Sequence, residues 1–391
     1  MTDTERDTPE VDERLPDGLR YTEAVDRSGR WISRQCALRI DGEQEPVSSL
    51  VLHSLRVRFG ETALRAEGVG GVQTRPGHRR RGYNARLIRR AMLGARDRVP
   101  AMFLYGIEGY YTQFGFAACL PESSMSMWVR RTRTMKIPDG WSVRAARDEE
   151  LPTVNALFNE LHAKRPWSCI RDLASVRHLK DETAWKPRPD VVLCEHDGAV
   201  AGYAAIAHRP YGWNERTFNV FEAGARTTTA ARVILADIAR RCREDDLERY
   251  TVEEPADSLV GIVARSLGCA VTETTSSDGG GMGILLDRQA AVHELSDELR
   301  RRVRASVPTT AGDGSVVERA LAMLADRTLV SDDGALLRLL VGYRSWDEAV
   351  TLGECDTGGP EAAAADAACR LLFPGGGPVL PAPYAHRLDR Y

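Results

Sequence analysis

The sequence predicts an α/β (α+β) chain in which one strand-and-helix architecture occurs twice and a helix-rich segment follows. Three observations carry this reading. The 391 residues are too many for one ordinary core and suit two or three domains. Runs of β-like sequence lead into an amphipathic helix and then a short buried strand. The same order recurs, more weakly, in the middle of the chain.

Residues 1–17 are acidic and contain proline, which predicts a disordered tail. The first domain is expected over 18–135. Its β-like runs are 31–40, 47–59 and 63–74, and a helix is expected over about 80–98. There Leu87, Ile88, Ala91, Met92 and Ala95 share one face, and Arg86, Arg89, Arg90 and Arg96 fall mostly on the other. A short buried strand at 101–106, a brief helix carrying Tyr110 and Tyr111, and an outer strand at 123–129 complete it. The second domain, 136–288, repeats the pattern: a strand and helix, a hairpin around Asp197 and Gly198, then strand, helix and strand. Its glycine run, Gly279 to Gly281, predicts a hairpin turn. The third segment, 289–391, opens with a Leu- and Arg-rich helix, holds a second helical run at 335–340, and ends in a Pro- and Gly-rich stretch.

Composition narrows the function. A net charge of −3 gives no general attraction to nucleic acid. No apolar run approaches the roughly 20 residues of a membrane span, and the N-terminus has no basic and apolar leader. The expectation is a cytoplasmic protein with no membrane or nucleic-acid partner. The eight cysteines are scattered without a C-x-x-C pair, so neither a metal site nor a disulfide framework is expected.

The sharpest signal runs from Val72 to Asn84. A strand enters a Pro-Gly turn, followed by Arg79, Arg80, Arg81 and Gly82, and then the amphipathic helix. The first turn of a helix offers free amides and a positive dipole end, which together suit a pyrophosphate. Gly82 allows close backbone approach, and the arginines add forked, charged donors. A solvated basic loop capping a surface helix would show the charge without the register of strand, turn, glycine and helix.

Arg79 through Asn84 resembles the R/Q-x-x-G-x-G/A motif of the GNAT superfamily of acyl-CoA-dependent N-acyltransferases, with Asn84 departing from the final Gly or Ala. More specifically, the chain resembles the Eis (enhanced intracellular survival) family. This rests on Gly70-Gly-Val before the basic turn, Gly109-Tyr-Tyr-Thr-Gln-Phe-Gly115, and an ending with Phe373-Pro, Pro383-Tyr and Asp389-Arg-Tyr391. The resemblance implies tandem GNAT-like domains, the second degenerate, followed by a domain like sterol carrier protein. It implies acetyl-CoA as cosubstrate, an amine of a small molecule or peptide as acceptor (a polyamine, an aminoglycoside or a lysine side chain), and a homo-oligomer, in some members a hexamer. The residues matching the family's CoA contacts are Val72, Gln73, Thr74, Arg80, Arg81, Gly82, Tyr83, Asn84, Ala85, Gly106 and Ile107, with Arg79 opening the motif. The resemblance also assigns Tyr111 to protonate the departing sulfur and the terminal carboxylate of Tyr391 to act as base.

Elementary acidity limits both roles. Tyrosine's ordinary pKa, near 10, makes full proton transfer to a thiolate about 2 kcal/mol uphill. Tyr111 is therefore better read as a hydrogen-bond donor that tightens as charge develops. A carboxylate near 3.5 holds the amine and takes its proton once the tetrahedral intermediate has acidified it. His53 and His78 are alternative bases. One departure from the family stands out: members place two helices between the first two strands, and almost nothing lies between Gly18 and Trp31 here. Two competing readings are a different donor, either a longer acyl-CoA or an aminoacyl-tRNA, and a non-catalytic CoA- or lipid-binding protein.

Overall fold

The computed structural model describes residues 10–16, 18–27, 32–132, 134–173, 176–180, 188–207, 217–306 and 314–374. These fall into two compact units. The first is made by residues up to 120 together with those from 276, and the second by residues 121–275.

In chain order the first unit opens with β1 (Val11–Arg14), β2 (Leu19–Asp26), β3 (Ser33–Ile40), β4 (Ser48–Phe59), β5 (Thr62–Thr74), α1 (Tyr83–Arg96), β6 (Ala101–Gly106) and β7 (Ala117–Leu120). The second unit supplies β8 (Glu122–Trp128), β9 (Trp141–Ala145), α2 (Leu151–Leu161), α3 (Arg177–Lys180), β10 (Pro189–His196), β11 (Ala199–Ala207), β12 (Thr217–Ala225), α4 (Thr228–Glu244), β13 (Arg249–Val252), α5 (Leu259–Leu267) and β14 (Ala270–Thr274). The chain then returns to the first unit with β15 (Gly280–Leu285), α6 (Arg288–Ser306), α7 (Gly314–Ala325), α8 (Asp333–Val341), α9 (Trp346–Thr351) and α10 (Pro360–Leu372).

The first sheet has the order β1-β2-β3-β4-β5-β6-β15-β7, and all its pairs are antiparallel except β5 with β6. Strand alternation gives it two apolar faces. On one, α1 buries Leu87, Ile88, Ala91 and Ala95 against Leu38, Leu50, Leu52, Val69, Leu104 and Met282. On the other, Phe103 of β6 and Leu337 of α8 close on Gly283, where a Cβ would lie 2.7 Å from the Phe103 ring and 2.9 Å from Leu337. The guanidinium of Arg338 on α8 also donates to the Ala118 carbonyl of β7 at 3.1 Å. The second sheet runs β14-β8-β13-β12-β11-β10-β9, again with one parallel pair, β12 with β13. Its core packs α4 and α5 against β8, β10, β11, β12 and β13.

The structure corrects several sequence readings. Val11–Arg14, assigned to a disordered tail, pairs antiparallel with β2. The strand expected at the outer edge of the first domain, β8, lies between β13 and β14 of the second sheet. The glycine run is not a hairpin turn: Gly280 and Gly281 open β15, which pairs with β6 and β7, whereas the preceding strand β14 pairs with β8 in the other sheet. The third segment contributes five helices and no strand among its described residues. Only residues 27–32 separate β2 from β3, too few for the two helices that the resemblance would place there. Among the described residues no helix is long and apolar enough to cross a membrane.

Candidate active site

The parallel strands β5 and β6 run together from Ala66 with Ala101 to Val69 with Leu104, and there their pairing ends. The cause lies on the other side of β5. Val51 of β4 faces Gly70, but Ser49 faces Gln73, so β5 carries one extra residue, a β-bulge. Gly71 sits in that bulge with φ +58°, a left-handed conformation that a side chain would strain. The bulge ends the ladder with β6, and the gap left between Val72–Thr74 and Gly106 is the candidate cleft. Ser48 fixes the departing strand, its hydroxyl donating to the Gln73 backbone carbonyl at 2.9 Å, and the Gln73 side chain donates through Nε2 to the Ser49 hydroxyl at 3.0 Å.

The basic turn follows. A single 3-10 turn spans Pro76–His78, and then Arg80 (φ +63°) and Gly82 (φ +76°) are both left-handed. Left-handed residues alternating with ordinary ones turn successive backbone N–H groups toward one concavity, the geometry of an anion nest. Gly82 is the N-cap of α1 and has no side chain to close the helix, so the amides of Tyr83, Asn84 and Ala85 keep no capping partner. The first intrahelical bond there is from the Arg86 amide to the Gly82 carbonyl, at 3.1 Å. A Cβ on Gly82 would meet nothing within 4 Å, so the turn faces open space. Arg79, Arg80 and Arg81 are exposed, and no carboxylate among the described residues pairs with them. Arg79 braces the turn by donating to the Thr74 carbonyl at 3.2 Å. His78 accepts no second positive charge easily: burial and then Arg75 and Arg81 hold its pKa below the ordinary 6.5. With Arg75 2.7 Å from its Nε2, the neutral ring carries its hydrogen on Nδ1. It thus serves the turn as a packing and hydrogen-bonding group, 6.1 Å from the ring of Tyr83.

At the other wall of the cleft, the backbone after β6 turns back through Gly109 (φ +76°) into a 3-10 turn, Tyr111–Phe114. Tyr111 is 8% exposed and packs directly on Gly106: a Cβ at Gly106 would stand 2.7 Å from the tyrosine Cδ2. The Tyr110 ring meets it edge-on at 5.1 Å and Phe116 at 6.1 Å. Burial, and then Tyr110, raise the Tyr111 pKa above its ordinary 10.0. Val72, Tyr83, Ala85, Leu104 and Tyr111 belong to one apolar cluster, so the bulged strand, the helix start and the tyrosine share a wall. Ile107, 68% exposed, stands just past the end of β6. Asn84 turns inward, with a buried Oδ1 that has no hydrogen-bond partner among the described residues. The structure therefore brings together Val72, Gln73, Thr74, Arg79 to Ala85, Gly106, Ile107 and Tyr111. Tyr391 lies outside the described residues.

A separate cavity of about 660 Å³ opens on the same sheet, lined by Arg34, Arg56, Arg65, Glu67, Arg98 and Glu294. It includes neither the basic turn nor Tyr111. Arg98 and Arg65 are spent on Glu67 and Glu294, so it is largely an ion-pair network.

The acetyltransferase (GNAT) domain model matches residues 20–119, the span that holds β2 to β7 and all of this cleft. Residues 20–119 are a GNAT acetyltransferase domain. Transfer of an acyl group to an amine is the chemistry of that domain family. The fold likeness extends beyond the GNAT domain to most of the chain. A GCN5-related N-acetyltransferase from Kribbella flavida is 17% identical, with 91% of this chain and 87% of that one aligned at a TM-score of 0.62. A probable N-acyltransferase from Enterococcus faecalis is 14% identical over 92% and 89%, with a TM-score of 0.64. Eis1 from Mycobacterium abscessus is 17% identical over 91% of each chain, with a TM-score of 0.58. At such identities the likeness is one of fold, and it agrees with the Eis-like reading of the sequence. No curated protein matches the sequence.

The second unit repeats the cleft and fills it. Strands β12 and β13 also run parallel, end their pairing at Val220 with Val252, and carry a bulge beside Glu222. Glu222 and Glu254 thus take the places of Gly71 and Gly106. Both are wholly buried. The Glu254 carboxyl accepts from the Ala223 amide at 3.1 Å, the backbone donor equivalent to that of Val72. Glu222 takes two bonds from Arg171, at 2.8 and 2.6 Å, and one from the Tyr203 hydroxyl at 2.5 Å. The helix start is closed as well: Thr227 caps the Ala230 amide at 3.1 Å, and Arg226 is held by Glu160 at 2.9 and 2.6 Å. The sequence of this turn, Arg226-Thr-Thr-Thr-Ala-Ala, has no glycine and one arginine, whereas nothing local marks Glu222 and Glu254 as buried, since acids at strand ends are ordinarily solvated.

Proposed function

We propose that the protein transfers an acetyl group from acetyl-CoA to an amine, and that the first unit alone performs it. The observation that carries this reading is the meeting of three features: a strand that leaves its ladder with β6 beyond the Gly71 bulge, uncapped amides at α1, and Tyr111 against Gly106. Acetyl-CoA supplies a thioester, whose carbonyl is open to attack by a neutral amine. Val72, Gln73 and Thr74 would hold the pantetheine arm by strand-like hydrogen bonds. The amides of Tyr83 to Ala85, with Arg79, Arg80 and Arg81, would hold the pyrophosphate. Tyr111 stays protonated at neutral pH and would donate to the sulfur as the C–S bond breaks and negative charge grows there.

The acceptor is an amine of a polyamine, an aminoglycoside-like molecule or a lysine side chain. The short link between β2 and β3 leaves the acceptor side without the two helices of the Eis family, which favours a broad range of acceptors. Incubation with acetyl-CoA, a panel of such amines and a thiol reagent tests this. CoA release that requires an amine is the expected result; tight CoA binding with no amine-dependent release overturns it.

A further inference from the structure

The turn that carries Tyr111 has no regular secondary structure between Gly106 and Tyr111, yet it must hold a buried ring to a fixed place. Gly109 is left-handed, with φ +76°. Its amide donates to Asp278 Oδ2 at 2.7 Å. The next residue, Gly279 (φ +81°), lies against the same turn: a Cβ there would stand 3.0 Å from the Glu108 nitrogen and 3.3 Å from the Gly106 carbonyl. Only glycine permits that approach. Asp278 is itself held: its amide donates to the Ser276 hydroxyl at 3.2 Å, and that hydroxyl donates back to the Asp278 carbonyl. The Ser276 carbonyl in turn accepts from the Tyr343 hydroxyl, at 3.1 Å, just beyond α8.

We propose that Asp278 is a positioning residue for the transfer reaction, clamping the Gly106–Tyr111 turn through the Gly109 amide so that the tyrosine hydroxyl meets the leaving sulfur. This rests on the proposed role of Tyr111. A charged acceptor on a backbone N–H makes a stronger hydrogen bond than a neutral one, and a tyrosine misplaced by about 1 Å costs catalysis on the order of 100-fold. Asp278 touches neither substrate nor sulfur. Its effect passes through Tyr111.

Four proteins test the proposal: Asp278→Ala, Asp278→Asn, Tyr111→Phe and the Asp278→Ala/Tyr111→Phe double variant, each as the full chain. Amide exchange of the segment around Gly109 is measured beside kcat and CoA affinity. The expected result is that Asp278→Ala lowers kcat about 10- to 100-fold, speeds exchange at Gly109 and lowers CoA affinity much less than kcat, since the Arg79–Ala85 contacts are untouched. Asp278→Asn, whose amide oxygen can still accept the bond, should recover most of both. In the Tyr111→Phe background the Asp278→Ala penalty should vanish, because the group it positions is gone. Unchanged exchange at Gly109 in Asp278→Ala overturns the clamp whatever Tyr111 does. An undiminished penalty in the double variant overturns the route through Tyr111. Wild-type turnover of Tyr111→Phe alone would instead refute the role of the tyrosine, and the positioning role with it, while the exchange data still report on the clamp.

Discussion

Gly106 and Glu254 occupy the same position in two copies of one architecture: each lies two residues beyond the last parallel pair of its strand, Leu104 with Val69 and Val252 with Val220. In the first unit the missing side chain admits the ring of Tyr111. In the second a carboxyl fills the gap and takes the amide that would otherwise face a ligand. This position, together with Glu222 at the place of Gly71 and the capped helix start at Thr227, separates an open cleft from a closed one.

Adding a single methyl group at Gly106 therefore strikes the cleft directly. In Gly106→Ala the new carbon would lie 2.7 Å from Tyr111 Cδ2 and 2.8 Å from both Leu104 Cδ1 and Met282 Sδ. Overpacking of this kind costs about 1–3 kcal/mol. A thermal melt should show that loss, and turnover should fall further than stability because the tyrosine is displaced.

At the basic turn, Arg81→Ala and Gly82→Glu should each weaken CoA binding. A lost charge-assisted contact is worth about 1.5–3 kcal/mol, roughly 10- to 150-fold in affinity. Gly82→Glu adds backbone strain at φ +76° and a negative charge facing the anion nest. Calorimetric titration with CoA checks both, and unchanged affinity in the pair would remove the pyrophosphate assignment.

Tyr111→Phe should lower kcat while leaving CoA affinity nearly unchanged, since its hydrogen bond strengthens only as the thiolate forms. The pH profile carries a second check. Because burial raises the hydroxyl above 10.0, the protonated, donating form persists through the alkaline range. No fall in kcat attributable to Tyr111 should occur between about pH 8 and 10. A descending limb in that window that disappears in Tyr111→Phe would contradict the assignment.

For the second unit one CoA per chain is expected, together with a particular pH dependence of stability. Burial first, and then the neighbouring Glu222, raise the Glu254 pKa well above the ordinary 4.5. Below the unfolded value both states hold the proton and its contribution to stability is complete. As pH rises from about 4.5 toward the elevated native value, the folded state keeps a proton that the unfolded chain has released. Stability then falls, by about 1.4 kcal/mol for each pH unit. Glu254→Gln, which can still accept from Ala223, should flatten that slope when unfolding is followed by denaturant titration at several pH values.

How much of this was legible in the sequence depended on distance along the chain. The helix start at Arg79 to Gly82 is a local pattern, and the structure places α1 there, beginning at Tyr83. The Asp197-Gly198 hairpin was equally local, with both residues left-handed. By contrast β2 escaped notice because Glu23 occupies an inward position, where it is buried beside Arg34 and Arg98 and breaks the apolar alternation. The sequence of β15, Gly-Gly-Met-Gly-Ile-Leu, has too few β-branched residues to read as a strand, and its partners lie far away in sequence. The candidate site was legible as a set of residue types, but the bulge at Gly71 that opens it depends on the register of β4 against β5.

The placement of β15 has a consequence for how the protein is made. Strand β6 leaves the ribosome long before residues 280–285, which pair with it from Ala101 to Gly106, exist. Until then one side of β6 is an unpaired edge beside an unfinished cleft, open to pairing with other chains. Loop closure over so long a separation is slow. Synthesis must therefore reach well past the second sheet before the sheet of the GNAT domain is whole. A gene cut at the end of the matched domain, residue 119, would yield a chain whose sheet has lost the strand between β6 and β7.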